Sequence, residues 1–341
     1  MYGAFASIDE LWQGTLEYIW KFGKTHVGRG WGSKPVTTKE ILGPILRLIN
    51  PNANMLTHVG RMASPIYAAG EFMWYMSGRG SGPQISYYAP SYKRFIESDG
   101  KAHGGYGRRW AQNNQLTSII ELLRKKPDTR QAVLSVWRAD LDLAPTISGS
   151  KKDIPCTLSL QFLLRDGELN CIGTMRSNDL WLGLPYDIFC FTTLQHFIAK
   201  ALGVTIGWYQ HQPGSLHLYE RNFDEAEAAI SIGASPLNFH FEDDEFFMEH
   251  LPEAKRIEEE LRHLNVINPG CFSLIQKKFG AGSRWGFLLA LCVLNSSEEL
   301  SHESLEAANS LIPEIPLAMA IHLRKVRAEK AAEKIGDRQD G

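Results

Sequence analysis

Residues 155–179, PCTLSLQFLLRDGELNCIGTMRSND, carry two alternating apolar runs on either side of Asp166-Gly167. Alternation over Leu158–Leu164 and Leu169–Met175 is a strand pattern, and Asp-Gly between two such runs is a strong hairpin signal. Cys156 therefore precedes one arm of a hairpin and Arg176 ends the other. A thiol attacks as thiolate, and a cysteine with a pKa of about 8.5 stays mostly protonated at neutral pH unless cations lower it. Arg176 is the candidate cation. Just downstream, Leu182-Gly183-Leu184-Pro185-Tyr186-Asp187 adds a carboxylate, so nucleophile, anion-binding arginine and acid lie within one short stretch.

The chain of 341 residues is 44% hydrophobic, enough to bury a large core as one domain or one domain with an appendage. A net charge of -2 gives no global field for nucleic acid, so no stable nucleic-acid partner is expected and a phosphate would need a local arginine cluster. Cys156, Cys171, Cys190, Cys271 and Cys292 are odd in number and lack metal-like pairing. They fit free thiols in a reducing compartment, with no metal implied. No apolar run approaches the roughly 18 residues of a membrane span, and no signal peptide is evident. The expectation is a soluble cytoplasmic protein.

Apolar spacing predicts a helix over Ile8–Phe22 with Gly23 at its end, then a flexible loop, Gly28-Arg29-Gly30-Trp31-Gly32-Ser33. A second apolar helix over 64–77 ends at Gly78 and holds Glu71 among bulky neighbours. Residues 79–109 read as loop and short elements, the usual setting of sites. A helix over Ile119–Lys126 and a strand over Gln131–Trp137 precede the hairpin. An apolar helix follows over Ile188–Leu202, and a strand over 205–219 ends in His217 and Tyr219. Beyond about residue 240 the pattern changes to charged amphipathic helices over Phe246–Leu264, Trp285–Leu294 and Leu317–Lys334.

The order Pro-Cys, hairpin, Arg-Ser-x-Asp, Leu-Gly-Leu-Pro and finally His217-Leu218-Tyr219 resembles the thymidylate synthase superfamily. The likeness runs over roughly residues 8–235 and is strongest over 127–222. It implies an α+β fold, a twisted sheet flanked by helices, with two such sheets packed back to back in a homodimer with shared active sites. Residues 1–240 would form that catalytic domain and 241–335 an extra helical C-terminal region, with a disordered tail over 336–341. The last hundred residues do not resemble the short tail that closes over folate in that family.

The resemblance implies carbon transfer to carbon 5 of a pyrimidine nucleoside monophosphate, with 5,10-methylenetetrahydrofolate as co-substrate. Carbon 5 becomes a good nucleophile once a thiolate adds at carbon 6, and Cys156 would supply it. Glu71 corresponds to a glutamate that organises water and protons, Tyr106 to a tyrosine linked to loss of the carbon 5 proton, and Asp179 to a folate-contacting aspartate. Gly183 falls with Asp179 on the folate side. Arg176 and Ser177 would hold the phosphate, Arg29 corresponds to a mobile phosphate-binding arginine, and Arg130 to one that reaches across the dimer. His217 and Tyr219 would bind the sugar hydroxyls.

Departures from thymidylate synthase itself set the expected outcome. Asp187 stands where those enzymes have asparagine. An amide suits uracil, whereas a carboxylate accepts from an exocyclic amine, so Asp187 is read as selecting cytosine. This replacement is known from the (deoxy)cytidylate hydroxymethylases, and the ribose or deoxyribose form stays open. Residues 86–92 carry no tryptophan to shield a methylene intermediate, and Thr157 replaces a histidine. These two departures fit capture of water, giving a 5-hydroxymethyl nucleotide, while Gln131 in place of an arginine leaves the phosphate cluster one charge short. The alternatives are methylation of deoxyuridylate, a noncatalytic nucleotide- or RNA-binding protein on the same scaffold, and a cysteine hydrolase, for which no nucleophile elbow is present.

Overall fold

The computed structural model describes residues 1–29, 35–233, 239–242 and 245–339. After β1 (Tyr2–Phe5), α1 (Ile8–Phe22) begins where the Ser7 hydroxyl accepts from the Glu10 amide and buries its apolar face. It ends at Gly23, where the backbone turns extended at ψ 135° and a Cβ would collide with the Ile19 carbonyl oxygen. β2 (Lys24–Arg29) and β3 (Pro35–Leu42) pair antiparallel, with Gly28 opposite Val36 and Arg29 opposite Pro35. Strand pairing thus replaces the loop expected at Gly28 and Arg29, while Gly30–Ser33 lie outside the described residues.

β4 (Ile45–Leu48) leads to α2 (Pro65–Ser77), capped by Ser64 and ended by Gly78 at φ 71°, a left-handed turn that glycine adopts without Cβ strain. The polar stretch beyond it folds as α3 (Gly82–Tyr88), a 3₁₀ turn over Pro90–Phe95 and α4 (Tyr106–Ala111). Next come α5 (Gln115–Lys125), a three-residue β5 (Val133–Ser135) and α6 (Ala139–Ser148), which the sequence pattern did not announce. β6 (Thr157–Arg165) and β7 (Glu168–Met175) form the expected hairpin, with Asp166 at φ 52° and Gly167 at φ 79°, the positive pair a tight hairpin turn needs.

After β8 (Asn178–Asp179), α7 (Leu184–Leu202) starts four residues earlier than its apolar run suggests, which puts Asp187 in its first turn. The strand expected over 205–219 is two strands, β9 (Thr205–Pro213) and β10 (Ser215–Tyr219), that belong to different sheets. The switch falls at Gly214, whose amide donates to the Met175 carbonyl at 2.7 Å and where a Cβ would meet the Arg176 carbonyl at 3.0 Å. One sheet has the order β1-β4-β9-β7-β6-β5 and the other β2-β3-β10-β8. The crossing sets Asn178 opposite Leu216 and Asp179 opposite His217, which brings two separate sequence motifs side by side.

The C-terminal part follows as α8 (Phe223–Ile232), α9 (Leu251–Leu264), α10 (Pro269–Phe279), α11 (Arg284–Val293), α12 (His302–Asn309) and α13 (Glu314–Gln339). The backbone is still helical at Gln339, past the start of the expected disordered tail, and 340–341 lie outside the described residues. α11 is buried along its whole length and packs on α2, so this region shares one apolar core with the sheets. Among the described residues no helix is long and apolar enough to cross a membrane, and no group of three or more His, Cys, Asp or Glu side chains is placed to hold a metal.

Candidate active site

Cys156 lies at the mouth of β6, where its carbonyl accepts from the Arg176 amide at 2.8 Å and ties this cysteine to the end of β7. A bulge between Thr157 and Ser159 interrupts the ladder beside it, a device that re-aims side chains near sites. The Arg176 guanidinium donates to the carbonyls of Pro155 at 3.0 Å and Ile154 at 2.9 Å. Its charge lowers the thiol pKa as expected, but burial acts more strongly, and Asp153, Asp187 and Asp179 push the same way. The thiol is pushed up to about 11. The expected net activation by Arg176 is thus reversed in the free protein, because three carboxylates and desolvation outweigh one guanidinium.

Glu71 is buried on the inner face of α2, where Tyr67 and Tyr75 donate to its Oε1 at 2.7 and 3.3 Å and the Cys190 thiol lies 3.9 Å from Oε2. Burial raises its carboxyl to about 7 against the pull of these donors. Tyr106, at the start of α4, stacks on Tyr75 with centroids 5.1 Å apart. Burial, then the charges of Asp187 and Cys156, hold its hydroxyl protonated.

Asp187 is buried, and its Oδ2 accepts from Asn178 Nδ2 at 2.7 Å. Burial first, then Glu71, raise its carboxyl well above the ordinary range, with the Asn178 bond acting in the opposite direction. Gly183 lies beneath this pair: a Cβ there would come 3.0 Å from Asn178 Nδ2 and 3.4 Å from Asp187 Oδ2. Its own amide donates to the Asp179 carbonyl at 3.0 Å. Asp179 caps the turn into α7, with Oδ1 accepting from the amides of Trp181 and Leu182 at 2.8 and 3.1 Å, and pairs with Arg221 at 3.5 Å.

On β10, His217 Nδ1 is 3.5 Å from the Ser177 hydroxyl, and its ring meets Tyr219 edge-on. Burial lowers the His217 pKa. The structure therefore gathers Cys156, Glu71, Tyr106, Arg176, Asp179, Asp187, His217 and Tyr219 into one cluster linked by their charges, with Ser177 joined to it through His217. Arg130 stands apart: it is exposed, its carbonyl accepts from Gln161 at 2.9 Å, and no bond of this chain among the described residues joins it to the pocket. Arg29 ends β2 at the edge of the second sheet.

Four pocket residues were not singled out in the sequence. Tyr92 packs on Trp74 at 5.4 Å and feels the charges of Asp153, Glu71, Cys156 and Asp187. Asp153, three residues before the nucleophile, is raised to about 6 by burial. Asn178 and Arg221 hold the two aspartates. Asn178 and Tyr92 lie inside stretches quoted from the sequence, and Asp153 and Arg221 close to quoted motifs, but nothing in those patterns assigned any of the four a role. Of the stretch without tryptophan, Tyr87 and Tyr88 turn away from the pocket and bond Asn265 and Glu258 of the C-terminal helices.

A family model described as thymidylate synthase matches residues 13–246. The chain is similar to the deoxyuridylate hydroxymethyltransferase of Pseudomonas phage M6, 30% identical over 209 residues that make up 60% of this chain and 56% of that protein. It is likewise similar to the deoxyuridylate hydroxymethyltransferase of Delftia phage PhiW-14, 31% identical over 191 residues, 54% of either chain. It thus spans about half the length of these curated relatives. A thermostable thymidylate synthase A from Bacillus subtilis shares the fold at a TM-score of 0.54 and 19% identity, covering 65% of this chain and 83% of that one.

Proposed function

The chain belongs to the thymidylate synthase family, and from that premise we propose that it is a hydroxymethyltransferase acting at carbon 5 of cytidylate or deoxycytidylate. The co-substrates are 5,10-methylenetetrahydrofolate and water. The observation that carries the reading is the buried, raised Asp187 held by Asn178 in the same pocket as Cys156. A neutral carboxyl offers an O–H donor for ring nitrogen 3 of cytosine and a carbonyl acceptor for its exocyclic amine, and being neutral it leaves no unpaired buried charge.

Cys156 Sγ bonds carbon 6, and the electron pair that becomes available at carbon 5 takes up the methylene carbon of the folate. The carbon 5 proton leaves through water held by Tyr106, whose hydroxyl stays protonated and so relays instead of acting as an anionic base. The bond from the transferred carbon to the folate nitrogen breaks as tetrahydrofolate leaves, water adds to the exocyclic methylene so produced, and the carbon 6–sulfur bond then breaks, with the thiolate regaining its proton. The sum is nucleotide, methylenetetrahydrofolate and water in, hydroxymethyl nucleotide and tetrahydrofolate out. Glu71, raised to about 7, exchanges protons with that water near neutral pH. On the folate side, Asp179 offers an acceptor for the pterin beside exposed Leu182, with Gly183 in the same turn. Arg176, Ser177 and Arg29 serve the phosphate, His217 and Tyr219 the sugar. Exposed Arg130 completes the phosphate site of the other protomer in a homodimer.

A second base reading is favoured by the relatives named deoxyuridylate hydroxymethyltransferases. A neutral carboxyl also matches uracil when its donor faces oxygen 4 and its acceptor faces the ring N–H. Competition between deoxycytidylate and deoxyuridylate decides between them. Wild type should prefer the cytosine nucleotide, and Asp187→Asn should shift the ratio toward uracil by about two orders of magnitude or more. A wild-type preference for uracil, or a ratio that Asp187→Asn leaves unchanged, would defeat the cytosine assignment.

A further inference from the structure

Behind Asp187 lies a buried chain of polar groups that the reaction itself does not use. Tyr209 and His211, both fully buried on β9, are joined by a 2.8 Å contact between the Tyr209 hydroxyl and His211 Nδ1. His211 Nε2 is 2.9 Å from Asn178 Oδ1, and Asn178 Nδ2 is 2.7 Å from Asp187 Oδ2. Gly173 on β7 makes room for the first link, since a Cβ there would lie 2.5 Å from the Tyr209 hydroxyl oxygen. Burial pushes His211 down to about 3, so its ring is neutral and carries a single N–H.

A neutral imidazole between two amphoteric partners can run in either direction. With the His211 proton on Nε2, Tyr209 donates to Nδ1, Nε2 donates to Asn178 Oδ1, and Asn178 donates to Asp187 Oδ2. Every group is then satisfied, and any proton on Asp187 must reside on Oδ1. The reverse direction needs the Asn178 amide turned over, so that Asp187 Oδ2 donates to its oxygen, its nitrogen donates to His211 Nε2, and His211 Nδ1–H donates to the Tyr209 hydroxyl, whose own O–H must then find another acceptor. Among the described residues no second acceptor is bonded to that buried hydroxyl, so the reverse direction leaves a buried donor unpaired.

We propose that Tyr209, His211 and Asn178 form a directional hydrogen-bond chain that fixes which Asp187 oxygen accepts and which carries the proton, and thereby sets the choice of pyrimidine base. The inference rests on the assignment of Asp187 to the base and deepens it, because a neutral carboxyl fits cytosine one way round and uracil the other. The three residues are positioning residues, since they act through Asp187.

The test joins a direct readout of direction with a specificity assay. Nitrogen-15 NMR of histidine-labelled wild-type protein should show His211 as the neutral Nε2–H tautomer; an Nδ1–H tautomer or an imidazolium overturns the chain as drawn. Tyr209→Phe and His211→Leu should each lower discrimination between deoxycytidylate and deoxyuridylate by about fivefold or more. His211→Gln, which can accept from Tyr209 and donate to Asn178, should restore most of it. Tyr209→Phe removes one oxygen atom and keeps the ring in place should the leucine variant fail to fold. A ratio shifted by Asp187→Asn but by neither Tyr209→Phe nor His211→Leu overturns the inference alone. A ratio unmoved by all three overturns the assignment of Asp187 together with it.

Discussion

Two buried glutamates sit on neighbouring helices and receive tyrosine hydroxyls, yet only one has a counter-charge. Glu258 in α9 accepts from Tyr88 at 2.8 Å, from Gln84 at 2.9 Å and from the Arg262 guanidinium at 2.9 Å. Glu71 in α2 accepts only hydroxyls and a distant thiol, and no cation is bonded to it among the described residues. The first arrangement is a joint, where ion pair and hydrogen bonds seam the C-terminal helices to α3. The second leaves an acid near 7, poised to exchange a proton at a cost in stability. The same residue type thus seams the C-terminal helices to α3 in one place and stands as an acid without a bonded cation in the other, and the arginine makes the difference.

The largest effect that would sharpen this contrast is on turnover. Glu71→Gln should reduce kcat by about two to four orders of magnitude, the usual worth of a positioned acid or base. It should also raise stability above neutral pH. The native carboxyl titrates near 7 against an ordinary 4.5, so the folded state holds its proton more tightly. Stability is then highest below about 4.5 and falls as pH rises through about 7, by about 3 kcal/mol in all. Glutamine keeps an acceptor for both tyrosines and has no proton to lose, so the gap between variant and wild type should open across that window. Denaturation midpoints taken at about pH 5 and 8 check it; equal gaps at both would refute a raised Glu71.

Glu258→Gln should do the opposite, since it leaves the Arg262 charge without its carboxylate at the seam. A loss of about 3 kcal/mol or more is expected, with kcat of the folded fraction changed only a few-fold. Chemical denaturation alongside single-turnover rates separates the two effects. A strong loss of turnover with stability intact would show the seam to be part of the reaction.

The smallest expected effect concerns the thiol. In the free protein Cys156, pushed up to about 11, should alkylate roughly tenfold or more slowly than an ordinary cysteine at pH 8, with the rate climbing toward alkaline pH. Mass-resolved labelling with iodoacetamide tests this. Fast labelling at neutral pH would mean that Arg176 outweighs the carboxylates after all.

What could be read from the sequence follows from how local each signal is. The hairpin, α1, α2 and α7 are announced by period and caps, and Asp166-Gly167 and Gly78 fall at positive φ as their residue types require. Cys156, Arg176, Asp179 and Asp187 come from contiguous motifs, so their convergence was open to sequence reasoning. The split of 205–219 between two sheets was not, because it depends on bonds from Gly214 to residues at the end of β7. The Tyr209-His211-Asn178 chain escaped for the same reason: 33 residues separate His211 from Asn178 along the chain. Short or weakly periodic elements, α6, α10 and α12 among them, are set by packing. The thiol's net shift was not legible because the depth of burial, and with it the weight of nearby Asp153 against Arg176, emerges only in three dimensions.

Whether the transferred carbon ends as hydroxymethyl or methyl is read from the mass of the product. The full-length protein is incubated with each of cytidylate, deoxycytidylate, uridylate and deoxyuridylate, together with 5,10-methylenetetrahydrofolate, and the products are identified by mass spectrometry. The account predicts a 5-hydroxymethyl product, formed fastest from a cytosine nucleotide and absent with Cys156→Ser. A 5-methyl product, or turnover that survives the loss of Cys156, would contradict it.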